Sequence, residues 1–209
     1  MAEIEYFYVA HGAYAYLGSA RFLEIAKAAG RKVIHRPFEF GRVVEGAGST
    51  RTRDRSKKHR AYHFGREIKR WAEYRNAPVV DGMPTHHWND VTLPSQALIA
   101  AQDLGDADAL SHAFLTAHWR DDADLADRST LERLIKSVGL DADAIFATAE
   151  TPAAAAQYEA NTKEAIARSV FGSPTYFVDG DMFYGQDRLE LVERALTKPF
   201  AGQWPPNPD

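Results

Sequence analysis

VFGSPTYFVDGDMFYGQDRL, residues Val170 to Leu189, is the stretch on which the fold turns. Tyr176-Phe177-Val178 is an aromatic and β-branched run and reads as a strand. Pro174 stands at its mouth, where a residue without an N–H is tolerated. Asp179-Gly180-Asp181 reads as a hairpin turn, because Asp-Gly accepts positive φ at the turn centre. Met182-Phe183-Tyr184 is the returning strand, and Gly185 to Leu189 then breaks into a helix with Asp187 near its first turn. Two readings fit these residues. One is an ordinary β-hairpin with a capping aspartate. The other is the closing half of a thioredoxin-like fold, in which Ser173-Pro174 is a cis bond marking a functional position.

The opening half of the chain bears on that choice. Ile4 to Ala10 reads as a strand, Ala13 to Ala29 as an amphipathic helix closed by Gly30, and Lys32 to Phe40 as a second strand that Pro37 places near an edge. Strand, helix and strand at this spacing form a parallel, right-handed βαβ unit. Val43 to Lys58 is small, polar and basic and reads as an exposed loop or lid. It enters a helix that runs to Arg75. Its cations Arg51, Arg53, Arg55, Lys57, Lys58 and Arg60 either draw an anionic ligand into a cleft or coat a solvated helix face. From Leu93 to about Arg168 the pattern is helical throughout. Ser129 and Glu132 are spaced as a capping box, and Phe114, Leu115 and Trp119 are candidate core. The tail from Lys198 is proline-rich and reads as loosely packed. The expected architecture is therefore α/β, a thioredoxin-like fold with an inserted all-helical domain. Residues 1–45 and 167–209 form the discontinuous thioredoxin-like part, and residues 46–166 form the insertion.

Composition narrows the chemistry. The 209 residues carry a net charge of −4 and no cysteine. A mildly acidic chain is a poor general nucleic-acid binder. Without cysteine there is no dithiol redox chemistry, thiolate metal ligand or cysteine nucleophile on the protein itself. No apolar run reaches membrane-spanning length and the amino terminus does not read as a signal peptide, so a cytoplasmic protein is expected. His86-His87 and the His59/His63 pair invite a metal reading. Adjacent histidines do not share a helix face, however, and the second pair lacks a third ligand, so no metal is expected. In a thioredoxin-like fold the first strand delivers the chain to a helix amino terminus that favours an anion, a thiolate included. The residues there are His11-Gly12-Ala13-Tyr14. With no cysteine present, any thiol must arrive as a ligand.

These motifs resemble those of the 2-hydroxychromene-2-carboxylate isomerases, which are similar to kappa-class glutathione transferases within the DsbA-like proteins. The resemblance covers nearly the whole chain and is strongest over Val170 to Leu189. Tyr14-Ala15-Tyr16-Leu17, Trp119-Arg120-Asp121-Asp122 and Ala165 to Gly172 add to it. It implies a glutathione-dependent isomerase of a small, anionic aromatic substrate, acting through a reversible thiol adduct, as a homodimer. It further implies that Ser173, before Pro174, meets the cysteinyl backbone of glutathione. Asp187, with Gln186 or Arg188, would hold the γ-glutamyl end, and Ser49 would lie near the glycyl end. Gly12 and Ala13 would receive the sulfur. Apart from the resemblance, Trp88 or Asn89 beside the adjacent histidines reads as a pocket wall rather than part of a metal site. Two positions depart from the family pattern. A serine followed by proline stands in the family where this chain has Gly12-Ala13, and an asparagine where it has Ser49. With the family hydroxyl absent, His11 or Tyr14 takes over its role, backbone amides hold the thiolate alone, or the isomerase chemistry is lost. A transferase or lyase on an aryl substrate, and a catalytically silent glutathione-binding protein, are the competing readings.

Overall fold

The computed structural model describes residues 3–51, 54–202 and Trp204. Arg53 of the basic cluster and most of the residues beyond 202 lie outside the described residues. β1 (Glu3–Tyr8), α1 (Ala13–Ala28) and β2 (Lys32–Pro37) form the opening unit, with β1 and β2 parallel from Glu3↔Lys32 to Tyr8↔Pro37. β3 (Thr175–Val178) and β4 (Asp181–Tyr184) form the closing hairpin. Asp179 and Gly180 turn it with φ of 50° and 92°, the positive values an Asp-Gly turn requires. The Ser173–Pro174 peptide bond is cis. β3 pairs antiparallel with β1, so the sheet order is β2-β1-β3-β4, and Pro37 sits on an edge strand.

Alternation along β1 explains why both sheet faces are covered. Ile4, Tyr6, Tyr8 and Ala10 enter one hydrophobic cluster, while Phe7 and Val9 enter another with Phe38, Val43, Ala165, Val170 and Phe177. On the first face Tyr6 stacks between Tyr8 and Tyr176, at ring separations of 4.1 and 5.3 Å. Leu17, Phe22 and Ile25 of α1 pack there, fully buried as their helical spacing predicts.

Between β2 and β3 the chain forms α2 (Phe40–Gly46), α3 (Lys57–Arg60), a π-helical turn (Ala61–Glu67), α4 (Ile68–Tyr74), α5 (Thr92–Leu104), α6 (Ala107–Asp121), α7 (Arg128–Ser137), α8 (Ala142–Ala149) and α9 (Pro152–Ala167). A 3-10 turn (Gln186–Arg188) leads into α10 (Leu189–Thr197) after β4. Buried residues of α5, α6, α7 and α8 belong to the same cluster as the first sheet face, with Phe114, Leu115 and Trp119 at its centre.

The structure corrects the local reading in four places. The second strand ends at Pro37, because the Glu39 carboxylate caps α2 by accepting from Gly41 N (2.9 Å) and Arg42 N (2.7 Å). The lid expected from Val43 therefore begins as a helix, and a division after residue 45 falls in its last turn. The helix expected up to Arg75 contains a π-helical turn and ends at Tyr74. α7 is capped by Asp127, which accepts from Thr130 N (2.8 Å), and not by Ser129; Glu132 instead pairs with Lys136. In the tail, Phe200 is held by Phe183 and by the Arg194 guanidinium, 3.9 Å from its ring.

Candidate active site

β1 leaves the sheet at Tyr8, and Val9 to Gly12 carry the chain over the strand ends into α1. Gly12 is the helix N-cap and offers no side-chain cap. The first turn carries no acidic residue, and the first intrahelical bond runs from Tyr16 N to Gly12 O (2.9 Å). The amides of Ala13 and Tyr14 thus have no helical acceptor, and the positive end of a 16-residue helix is left uncompensated. A cavity of about 320 Å³ opens at this point, lined by His11, Gly12, Ala13, Tyr14 and Ser173 at its base. Its volume lies at the lower end of small-molecule sites, roughly 300–1,000 Å³. The walls are largely aromatic, from Phe40, Phe64, Trp88, Phe171 and Tyr184. Trp88 is 69% exposed, so its ring is available to a ligand.

Ser173 presents the hydroxyl of this site. Its Oγ accepts from Val9 N at 3.0 Å, which leaves the O–H proton to donate. A Cβ placed on Gly12 would lie 3.0 Å from that Oγ. The Ser173 hydroxyl therefore stands beside the position where a serine at 12 would begin.

The other expected hydroxyl is occupied. Tyr14 donates to the His63 carbonyl oxygen at 2.8 Å, tying α1 to the π-helical turn, and burial raises its pKa above the ordinary phenol value. Burial, then Arg55 and His59, lowers the pKa of His63, which also lines the cavity. Arg51 pairs with Glu45. Arg55 lines the cavity too, donating to the Thr50 carbonyl oxygen at 3.3 Å. It makes no ion pair among the described residues, so it is a cation available to an anionic ligand. Lys57 and Lys58 lie exposed on α3, outside the cavity lining.

His11 is fixed by a bond from Trp119 Nε1 to its carbonyl oxygen (2.8 Å). Its ring lies 4.6 Å from the His87 ring and 5.7 Å from that of His118, with Nδ1 buried and unpartnered. Burial, reinforced by the two neighbouring imidazoles, holds it well below the ordinary histidine pKa. His87 is lowered to about 4 by burial and by His118. His118 is lowered by burial, against a partly offsetting bond to the Ala123 carbonyl. Among the described residues no group of three or more histidines, aspartates and glutamates is arranged to hold a metal ion.

The fold thus brings His11, Gly12, Ala13, Tyr14, Ser173 and Trp88 to one cavity, with cis Pro174 beside it. Ser49, Asn89, Gln186, Asp187 and Arg188 are not in its lining. Ser49 closes α2 through its backbone, and Asn89 donates to Asp124 at 2.9 Å. Gln186 is buried against Gly18 of α1 and receives the Arg75 guanidinium at 3.3 Å. Asp187 pairs with Arg188 at 2.6 Å, outside the lining; burial first, and the Asp187 charge with it, raises the pKa of Tyr14 and Tyr184. Sequence reading makes Ser173 a ligand contact, places Arg55 in a cluster able to draw in an anion, and sets His63 on the surface or a cleft wall; it misses the lining role of His87 and the place of His118 against it.

A family model for the DSBA-like thioredoxin domain matches residues 3–197, and the chain belongs to that family. Within it, the chain is 26% identical over 195 residues to a 2-hydroxychromene-2-carboxylate isomerase from Sphingobium xenophagum, covering 92% of this chain and 97% of that relative. A solved 2-hydroxychromene-2-carboxylate isomerase superposes with a TM-score of 0.73 at 23% identity, over 92% of this chain and 93% of that one. The cytosolic disulfide reductase DsbM from Pseudomonas aeruginosa, solved with glutathione, superposes with a TM-score of 0.61 at 21% identity, over 94% and 93%. The resemblance read from the motifs thus extends over the whole domain. No helix among the described residues is long and apolar enough to cross a membrane.

Proposed function

We propose that the chain is a glutathione-dependent isomerase of a small aromatic carboxylate. The observation that carries this reading is the uncapped amino end of α1, opening into an aromatic cavity with the Ser173 hydroxyl beside it. These groups fit a thiolate. Two free amides and a helix dipole favour an anion, and a hydroxyl with its proton free replaces the one that Gly12 lacks. Bound glutathione supplies a nucleophilic sulfur that adds reversibly to an unsaturated substrate and so permits rotation about the former double bond. Ser173 and the amides of Ala13 and Tyr14 hold the anionic sulfur. Trp88, Phe171 and Tyr184 stack on the aryl group, and Arg55 faces its carboxylate. Tyr14 fixes the π-helical wall through His63, and Asp187, whose charge is felt at Tyr14 and Tyr184 of the lining, meets the ammonium end of the tripeptide. His11 is uncharged at neutral pH and shapes the floor. The isomerase activity named for the relatives supports the reaction class, and the glutathione in the DsbM structure supports the cofactor.

Calorimetric titration with glutathione tests the reading. A hydrogen bond to a charged group contributes about 1.5–3 kcal/mol, so Ser173→Ala is expected to weaken binding by about tenfold or more. Product analysis with an unsaturated aryl carboxylate then reports whether glutathione is recovered, as an isomerase requires. No binding at millimolar glutathione refutes the cofactor, and consumption of glutathione assigns a transferase instead. Size-exclusion chromatography tests the expected homodimer.

A further inference from the structure

His87, in the cavity lining, and His118 behind it form a hydrogen-bonded chain whose direction is fixed at one end. His118 Nδ1 lies 3.1 Å from the Ala123 carbonyl oxygen. A carbonyl only accepts, so Nδ1 carries the proton and a neutral His118 presents a bare Nε2. His87 Nδ1 lies 3.1 Å from that Nε2. It must therefore be protonated, which leaves the His87 Nε2 bare. The two nitrogens of an imidazole diverge, so this Nε2 turns away from His118, on a ring that lines the cavity. No described residue donates to it.

We infer that His87 Nε2 is a fixed hydrogen-bond acceptor of the ligand site, oriented by His118 and the Ala123 carbonyl, and that it selects a ligand carrying a neutral O–H or S–H donor at that end. Reversing the chain would set a bare His118 Nδ1 against the Ala123 oxygen at 3.1 Å, two acceptors face to face. The ring therefore cannot readily switch to donating. A carboxylate or thiolate placed there would meet a lone pair, whereas a hydroxyl or thiol would be bound. Arg55 is a lining cation, and with the His87 acceptor the cavity suits a ligand that combines an anion with a separate neutral donor. Resting on the proposed function, the donor is the hydroxyl of a hydroxyaryl carboxylate. His87 then contacts the substrate, and His118 is a positioning residue.

Nitrogen-15 NMR of the wild-type protein at neutral pH reads the tautomer directly, with His87 assigned by its loss in His87→Asn. The expected result is a protonated Nδ1 and a bare Nε2; a protonated Nε2 overturns the inference. Two ligand pairs then identify the donor by Trp88 fluorescence: 2-hydroxycinnamate against 2-methoxycinnamate, and glutathione against S-methylglutathione. The hydroxyl compound is expected to bind at least about fivefold tighter than its methyl ether. His118→Leu should abolish that ratio. His118→Gln should restore it, because its amide oxygen again accepts from His87 Nδ1. A preference confined to the thiol pair is what the thiolate site alone produces, and with equal affinities in the cinnamate pair it overturns the acceptor role. Equal affinities within both pairs overturn it as well. Absence of all binding refutes the proposed function, while the tautomer measurement still decides the state of His87.

Discussion

Lowering the pH should unfold this protein partly through one ring, and His87→Asn isolates it. His87 has an ordinary pKa of 6.5 in the unfolded chain and about 4 when folded, because burial and the adjacent His118 disfavour its cation. The pKa is depressed in the folded state, so below 6.5 the unfolded state binds the proton first. Stability is therefore full above that value and is lost as pH falls toward the folded value. Between pH 7 and pH 5 the linked loss from this group comes to about 2 kcal/mol. The titratable rings facing His87 are His11 and His118, both themselves held below the ordinary value, and no carboxylate is among the causes of its shift. Asparagine keeps an N–H for His118 Nε2 and cannot titrate. Urea denaturation of both proteins at the two pH values separates this term from any packing loss, since a packing loss is common to both. The wild-type midpoint should fall by about 1 M more than that of the variant, for a slope of about 2 kcal/mol per molar urea. Identical pH dependence in the two proteins would refute the argument that His87 is buried uncharged.

Three further outcomes follow from the cavity. Arg55→Gln should weaken binding of an anionic aryl ligand about tenfold, and binding by the variant should depend less on salt than wild-type binding, as titration at two ionic strengths would show. Tyr14→Phe should cost about 1 kcal/mol in chemical denaturation and speed amide exchange in the π-helical turn, because the 2.8 Å bond to the His63 carbonyl is lost. Gly12→Ser should destabilise by about 1–3 kcal/mol, since its Cβ would lie 3.0 Å from Ser173 Oγ and 3.2 Å from Val9 O. Combining it with Ser173→Ala should cost less than the two single changes summed, and a double-mutant cycle by denaturation measures that difference.

The sheet and most helices were legible because apolar spacing is a local signal. β1 alternates between two buried faces, α1 places Leu17, Phe22 and Ile25 on one side, and Asp179-Gly180 dictates its own turn. Errors fell where a polar side chain competes for backbone. Phe38-Glu39-Phe40 alternates like the strand before it, yet the Glu39 carboxylate takes two amides and starts a helix. At α7, Asp127 displaced Ser129 as cap for the same reason, an ionised oxygen being the stronger acceptor.

The site was legible only where one segment supplies it. His11 to Tyr14 and Ser173-Pro174 were found because each sits at a strand end that the hydrophobic pattern marks. His11, His87 and His118 come from three separate segments, and no spacing rule connects them; His118 also adjoins Trp119, whose burial drew attention to the core. Glycine at position 12 looks like a lost function only while its neighbours are unknown. In the fold, a side chain there would press on the Ser173 hydroxyl, so the space suits one hydroxyl better than two. The hydroxyl now comes from the segment before β3 and not from α1. On the proposed function, this is how a chain with Gly12-Ala13 would hold an anion at the same helix end. It also predicts that Ser173, rather than His11 or Tyr14, is the side chain whose loss the bound sulfur feels.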